Sequence, residues 1–245
     1  MRAVASRLLM LQQADSFFPG GAVAWSWGLE TLVAEAVIPT ASRRSRQRAR
    51  GAVGAGDDAS DALRQFIVGQ LTHRWACCDR AFLAAAWHVD GVLDDWISLD
   101  FELEAITLAA ELRQGSRRLG ASLLGVHAEL GTAHAADYQR RVDTEEAPGH
   151  VAVLQGMLWR ALGIDHEDAL LASAHMLSTG LVSAALRLGV VGHLAGQLIL
   201  AELQPVIRAL LVTPVPDVSR ASAFTPLAEM AVMRHETLSP RLFAN

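Results

Sequence analysis

The sequence predicts an all-α fold, a single compact helical domain of about eight to ten helices spanning residues 1–245. Alanine and leucine, both strong helix formers, dominate a composition that is 51% hydrophobic. Apolar residues recur at helical spacing in almost every segment, and neither a sustained two-residue alternation nor an internal repeat is present. A chain of this length can bury about 70–75% of its unfolded surface, so it needs no disulfide or metal to form a core.

The N-terminal segment predicts two helices separated by a turn. Val4, Leu8 and Leu11 recur at helical spacing and mark the first helix. This helix stops before residues 15–21, which are rich in turn-forming residues. The second helix is predicted from about Ala22 to Val37.

Residues 40–60 differ in composition from the rest of the chain. Five arginines lie between Arg43 and Arg50, and a stretch of Gly, Ala and Asp follows them. Blocks of like charge are usually solvated and disordered. A nucleic-acid patch is the alternative, but the run has no aromatic residue on which a base would stack. We therefore interpret residues 40–60 as a flexible insert.

Helical periodicity resumes after this insert. Ser60 is placed to cap a helix whose apolar residues begin at Leu63. Pro148 and Gly149 mark a later helix start, and Asp165 is a further predicted N-cap. Three helices between these points are predicted over residues 82–89, 93–99 and 103–130.

Two long apolar runs, residues 169–186 and 188–202, flank Arg187. A helix that spans a membrane needs about 20 predominantly apolar residues. Because the first run contains polar residues such as His175 and Ser178, we interpret both runs as buried core helices. A membrane hairpin is the alternative.

The composition excludes several classes of function. The chain has a net charge of −5 and contains no lysine, so it has neither a global basic field for nucleic acid nor a P-loop. Cys77 and Cys78 are adjacent, so a disulfide between them would not cross-link distant parts of the fold. A chain without a structural disulfide is typical of a cytoplasmic protein. We also expect no cleaved signal peptide. The nine histidines are scattered, with none four residues from another, so no metal site is predicted.

Two features remain that packing alone does not explain. Arg187 either ends a helix with its charge in solvent or is kept for a partner or a charge pair. The other feature is the tail, residues 229–245, in which Met230 and Met233 share a helical face with Leu227. Bulky apolar residues near a chain end fray unless they pack on their own chain or on a partner, and both alternatives stay open.

Four blocks of sequence, in order and over most of the chain, carry a resemblance to a known family. The blocks are Pro19-x-Gly21 with Trp25, Ser26, Gly28, Leu29 and Glu30; Glu111, Arg113, Ser116 and Gly120; 182–188 with Gly192, Ala195, Gly196 and Gln197; and 233–237 with Arg241, Leu242 and Phe243. Together they are similar to the signatures of the UreF family of urease accessory proteins. Val23, Ala24 and Trp25 depart from the family's usual Phe-Ser-Tyr pattern.

The resemblance implies an all-helical, non-enzymatic dimer. Such a protein binds the UreD/UreH accessory protein and recruits the GTPase UreG for nickel delivery to apo-urease. It implies no catalytic residue and no cofactor of its own, with nickel and GTP acting in the wider complex. It places Glu30 and Arg187 toward the GTPase. The tail residues that it assigns to UreD/UreH are Met233, Arg234, His235, Glu236, Arg241, Leu242 and Phe243, and the remaining motif residues are structural.

Alternatives remain at this point. Arg187 acts either as an arginine finger for the GTPase or as a positioning residue paired with Glu30, and we favour positioning. The histidine count motivates a second hypothesis, a direct nickel-binding metallochaperone. A third, a helical enzyme, rests on Cys77 with His73 one turn away.

Overall fold

The prediction of an all-α fold is confirmed. The computed structural model describes residues 2–19, 25–40, 58–235 and 242–243, and within these ranges there is no β-strand. Asp58–His88 forms one unbroken rod, and counting it once gives ten helices in the described ranges. The elements are α1 (Arg2–Ala14), α2 (Leu29–Ala34), α3 (Asp58–Gln70), a π-helix (Leu71–Asp79), α4 (Arg80–His88), α5 (Leu93–Ile106), α6 (Ala110–Glu129), α7 (Ala135–Asp143), α8 (Val151–Ala161), α9 (His166–Arg187), α10 (His193–Leu211), a 3-10 turn (Val218–Arg220) and α11 (Pro226–Arg234).

The core consists of two large apolar clusters that α9 joins, and a small third cluster of Ala109, Leu112 and Val232 packs α6 against α11. The first surrounds α4 and α8 and contains the buried rings of Trp96, Tyr138 and Trp159. The second combines α2, α3, the π-helix and α10, and contains the buried rings of Trp75 and Phe243. Burying one large apolar side chain adds roughly 1.5–3 kcal/mol to the free energy of unfolding. Because each of the two large clusters buries many such side chains, both are needed to hold the helices together.

The predicted second helix, Ala22–Val37, is wrong in its extent. Within the described residues α2 begins only at Leu29, and Ala22–Ala24 lie outside them. Trp27 and Gly28 have φ values of 54° and 84°, which belong to the left-handed region and cannot continue a right-handed helix. Helical periodicity does not reveal such a turn.

The predicted C-terminal boundary of the insert, residue 60, is also wrong. Residues 41–57 lie outside the described residues, but Asp58 already starts α3. Ser60 is therefore inside the helix and is not its N-cap. Asp58 and Asp61 lie in the first turn of this helix, where their negative charges interact favourably with the positive end of the helix dipole.

The single helix predicted over residues 103–130 is wrong because the chain breaks between α5 and α6. Thr107 turns its hydroxyl back to the Leu103 carbonyl at 2.8 Å. Arg113 then donates to the carbonyls of Thr107 and Leu108, at 2.6 and 2.9 Å. These side chains satisfy the backbone groups that the break leaves open. The earlier pair of predictions, 82–89 and 93–99, matches α4 and the first half of α5.

The two long apolar runs form α9 and α10, which differ in burial. Both helices are long and apolar enough to cross a membrane by length and composition, a test that core helices also pass. The apolar window of α9 is 56% buried, whereas that of α10 is only 22% buried. The prediction of a buried core helix thus fits α9, while α10 buries one face and exposes Leu194 and Leu198 on the other.

Candidate functional site

Glu30 lies at the point where the C-terminal tail meets α2. Its side chain is buried, and its carboxylate accepts hydrogen bonds from the backbone N–H groups of Leu242 (2.6 Å) and Phe243 (3.2 Å). The third partner is Nε2 of His235, 2.8 Å from Oε2. We call Glu30, Arg187, His235, Leu242 and Phe243 the Glu30 cluster. One carboxylate therefore ties two separate parts of the tail to the body of the protein.

Arg187 completes this cluster from α9. It is the last residue of that helix and is exposed, as the helix-end interpretation expects. Its guanidinium carbon lies 4.0 Å from the centroid of the Phe243 ring, a close cation–π contact. Burial lowers the pKa of Arg187, while the negative charge of Glu30 opposes that shift. The two residues that the resemblance places toward a GTPase thus lie together, and the tail lies against both.

The turn before α2 is built to hold α11 close. Gly28 has a positive φ, and a Cβ added there would lie 2.8 Å from the carbonyl oxygen of Ala228. Ser26 Oγ accepts the N–H of Glu30 at 3.3 Å. On the outer side, Arg234 forms a two-pronged ion pair with Glu35, at 2.8 and 2.7 Å. These contacts fix the position of Glu30 relative to the tail.

The tail has two faces. Val232, His235 and Phe243 are buried, so part of the tail packs on its own chain. The opposite face is apolar and about half exposed. On α11 it comprises Leu227 (50%), Met230 (49%) and Met233 (48%), which we call the α11 stripe, and Leu242 (63%) beyond the helix is exposed as well. Of the two alternatives left open by the sequence, packing on its own chain is observed for the first face, and packing on a partner stays a prediction for the exposed face. Glu236 and Arg241, the other predicted tail residues, lie outside the described residues.

The second block of the resemblance, which contains Arg113, Ser116 and Gly120, packs α6 against α8. Besides the carbonyl contacts of Arg113, Ser116 Oγ accepts the N–H of Val151 at 3.3 Å. A Cβ on Gly120 would overlap the carbonyl oxygen of Gly149. Ser116 and Gly120 are buried and have a packing reason, whereas the Arg113 side chain is 31% exposed.

The other predicted motif residues are scattered. Leu29 is fully buried, Pro19 and Gln197 are exposed, and Gly21 lies outside the described residues. A Cβ on Gly196 would lie 2.9 Å from Val182, so the site permits little more than glycine. Gly192 is the N-cap of α10, where glycine is a favoured residue, and among the described residues nothing lies within 4 Å of a Cβ added there.

A buried network that sequence reasoning missed anchors the start of α8. Asp100 accepts hydrogen bonds from the Tyr138 hydroxyl (2.7 Å) and from the N–H groups of Gly149 and His150. Burial raises the pKa of Asp100, and both burial and the neighbouring Asp100 raise the pKa of Tyr138. The partners lie 38–50 residues away from Asp100, so no local pattern signals them.

The metal and thiol hypotheses gain no site from the geometry. In the described parts of the chain, no three or more His, Cys, Asp or Glu side chains are grouped to hold a metal ion. The Cys77 thiol donates to the Thr72 carbonyl at 3.2 Å, and burial raises the pKa of Cys78 to about 12. A thiol that donates and a thiol that stays protonated are both poor nucleophiles.

Comparison with known proteins gives a consistent result. The sequence profile described as UreF matches residues 58–204. The urease accessory protein UreF of Trichodesmium erythraeum (strain IMS101) is 30% identical over 99% of this chain and 98% of its own. The protein of the same name from Bacillus sp. (strain TB-90) is 31% identical, over 97% and 99% of the two chains. That of Haemophilus influenzae (strain PittGG) is 26% identical, over 96% and 93%.

Proposed function

The chain belongs to the UreF family of urease accessory proteins, and on that premise we propose that it is a scaffold for urease maturation. As a cytoplasmic homodimer it binds UreD/UreH, recruits the GTPase UreG and regulates it during nickel insertion into apo-urease. The scaffold carries no catalytic residue and holds no cofactor itself. Nickel and GTP are bound elsewhere in the complex.

The Glu30 cluster is the observation that carries this proposal. Glu30 and Arg187 are positions that we assign to the GTPase, and the tail lies directly on both. The α11 stripe faces away from this contact and stays exposed, which is unusual for three large apolar residues on a nine-residue helix. The stripe supports a docking role for the tail, with UreD/UreH as the partner.

This arrangement favours positioning over an arginine finger for Arg187. A finger must reach the phosphates of a bound nucleotide. The guanidinium of Arg187 instead stacks on the Phe243 ring and is attracted by Glu30. We propose that Arg187 orients the tail, so that the tail and the GTPase-facing surface form one unit.

Co-purification tests the proposal. Tagged protein should retain both UreD/UreH and UreG, and Arg187→Ala should lose UreG and urease activation while the helical circular dichroism is unchanged. Arg208→Ala, at another exposed arginine near the end of α10, is the matched control and should behave as wild type. If wild-type protein retains neither partner, the scaffold proposal is wrong. If Arg187→Ala retains UreG at the wild-type level, the positioning role is wrong.

A further inference from the structure

The connector between α10 and α11, residues 212–225, is anchored near its start by a buried arginine of the rod Asp58–His88. Arg80 is only 2% exposed and donates hydrogen bonds to the carbonyl oxygens of Leu210 (2.6 Å) and Pro214 (3.1 Å). These carbonyls lie at the C-terminal end of α10, where a positive charge interacts favourably with the helix dipole. Arg80 therefore fixes the point at which the connector leaves α10.

Near its end the connector is hydrogen-bonded to the π-helix. The backbone N–H groups of Ser222 and Phe224 donate to the carbonyl oxygens of Cys77 (3.1 Å) and His73 (3.0 Å). Ala221 has a φ of −65° and a ψ of 135°, which is extended backbone. In an extended chain, N–H groups two residues apart point to the same side. Residues 221–224 therefore form a short extended segment with one edge held by the π-helix.

The side chains of this extended segment alternate between core and solvent. Ala221 and Ala223 pack against the first core cluster, and Thr225 is 8% exposed. Phe224 is 74% exposed, although its own N–H group is hydrogen-bonded. Successive side chains of an extended chain point to opposite faces, so the inward packing of its two neighbours directs the Phe224 ring outward. The ring is therefore exposed on a backbone that is fixed.

The Phe224 ring continues the α11 stripe. It precedes Leu227, the first residue of the stripe, by three residues, a span of at most about 11 Å. Phe224 and the stripe form a series of four large apolar side chains, of which Phe224 is the most exposed. A single exposed apolar side chain is ordinary, but a contiguous apolar patch marks an interaction site. Because an aromatic ring on a fixed backbone loses little conformational entropy on binding, Phe224 is the member best suited to anchor a partner.

We propose that Phe224 is the anchor residue of the interface with UreD/UreH and inserts its ring into an apolar pocket of that partner. This inference rests on the proposed function, which assigns the α11 stripe to UreD/UreH, and it extends that interface from the tail to the connector. The occupant is UreD/UreH rather than a second copy of this chain, because the ring is continuous with the stripe. Arg80 and the two π-helix carbonyls are positioning groups, since they act on the partner only through the connector.

Pull-down titration with UreD/UreH tests the anchor directly. Phe224→Ala should weaken this binding about thirtyfold, the effect typical of an aromatic hot spot. Its melting temperature should change little, because the ring that is removed is mostly exposed. Phe101→Ala is the matched control, since Phe101 is 50% exposed on α5, whose main contacts are with α4 and α8. It should bind as wild type does.

A second pair of variants tests the backbone that positions the ring. Ser222→Pro removes the N–H group that donates to Cys77 and leaves every apolar side chain of the patch in place. It should weaken UreD/UreH binding about fivefold and speed amide exchange at Phe224. Ser222→Ala keeps the N–H group and is the control, because the serine side chain is exposed. It should match wild type in both measurements.

Three results would overturn the inference. The first is wild-type affinity in Phe224→Ala while wild-type protein binds UreD/UreH, a result that the scaffold proposal would survive. The second is a lower mass of Phe224→Ala than of wild type in light scattering, which would place the ring between two copies of this chain. The third is wild-type affinity and amide exchange in Ser222→Pro, which would show that the connector does not position the ring. Wild-type protein that binds no UreD/UreH would instead refute the proposed function, and the inference with it.

Discussion

At the scale of single residues, the charge of Glu30 is what holds the tail. Its carboxylate accepts three hydrogen bonds, and a hydrogen bond to a charged group is worth about 1.5–3 kcal/mol. Glu30→Gln keeps the shape but removes the charge and one acceptor atom. We expect docking of residues 242–243 to weaken by about 2–3 kcal/mol while the helices stay intact.

Amide hydrogen exchange measures this effect directly. The protection of the Leu242 and Phe243 amides should fall in Glu30→Gln. Glu35→Gln, which removes a partly exposed ion-pair partner of Arg234, is the control and should leave that protection unchanged. Equal protection in both variants and wild type would show that the apolar contacts of Phe243 alone hold the tail.

A second prediction for a single residue concerns His127, which belongs to α6 and is fully buried against α1. Its Nε2 contacts Gln13 Oε1 at 3.0 Å, and its Nδ1 contacts Thr132 Oγ1 at 2.9 Å. Burial lowers the pKa of His127 from 6.5 to about 4. The unfolded chain then binds the proton more readily, so the free energy of unfolding should fall by about 3 kcal/mol between pH 6.5 and 4.

Chemical denaturation at several pH values checks the sign and size of this dependence. In His127→Gln the decrease between pH 6.5 and 4 should be smaller, even if the variant is less stable at pH 7. An identical pH dependence in wild type and variant would assign the effect to other groups.

At the scale of elements, the sequence predicted most helices but not all of their ends. Periodicity placed α3 and α4 because their own apolar residues form their buried faces, and Pro148 with Gly149 marked the start of α8. It failed at Trp27 and Gly28, where a left-handed turn is held by packing against α11. It failed again at Thr107, where side-chain bonds from Arg113 replace the helical ones. The first break depends on residues that meet only after folding, whereas the second depends on side-chain bonds between residues four to six apart, which the spacing of apolar residues does not reveal.

The α11 stripe gives a prediction for a whole element. Met230→Glu should weaken UreD/UreH binding at least tenfold, because it places a charge in an apolar contact. Its melting temperature should change little, since Met230 is already half exposed. Val212→Glu, at an exposed apolar residue beyond α10, is the control and should bind normally. Pull-down titrations measure both. Unchanged binding in Met230→Glu would remove the stripe from the interface.

At the scale of the whole molecule, the fold class could be predicted but the distribution of apolar surface could not. Ala/Leu richness and helical spacing require helices that pack on one another, whatever their order. They do not say which apolar stripe a second protein covers. α1 illustrates this, because Ser6 and Gln13 are buried while Val4, Leu8 and Leu11 are 63%, 62% and 59% exposed. In α1 the pattern correctly predicted a helix, but the apolar residues that predicted it face solvent.

This exposed face of α1 is where we expect the second copy in the proposed homodimer. Exposed apolar stripes of this kind mark interaction sites, and α1 already uses its other face to pack on α9. Leu8→Arg should convert the dimer to a monomer in light scattering, because a buried unpaired charge at an interface costs several kcal/mol. Leu194→Arg, on the exposed face of α10, should remain dimeric. The reverse pattern would move the dimer interface to α10, and two dimeric variants would exclude both faces.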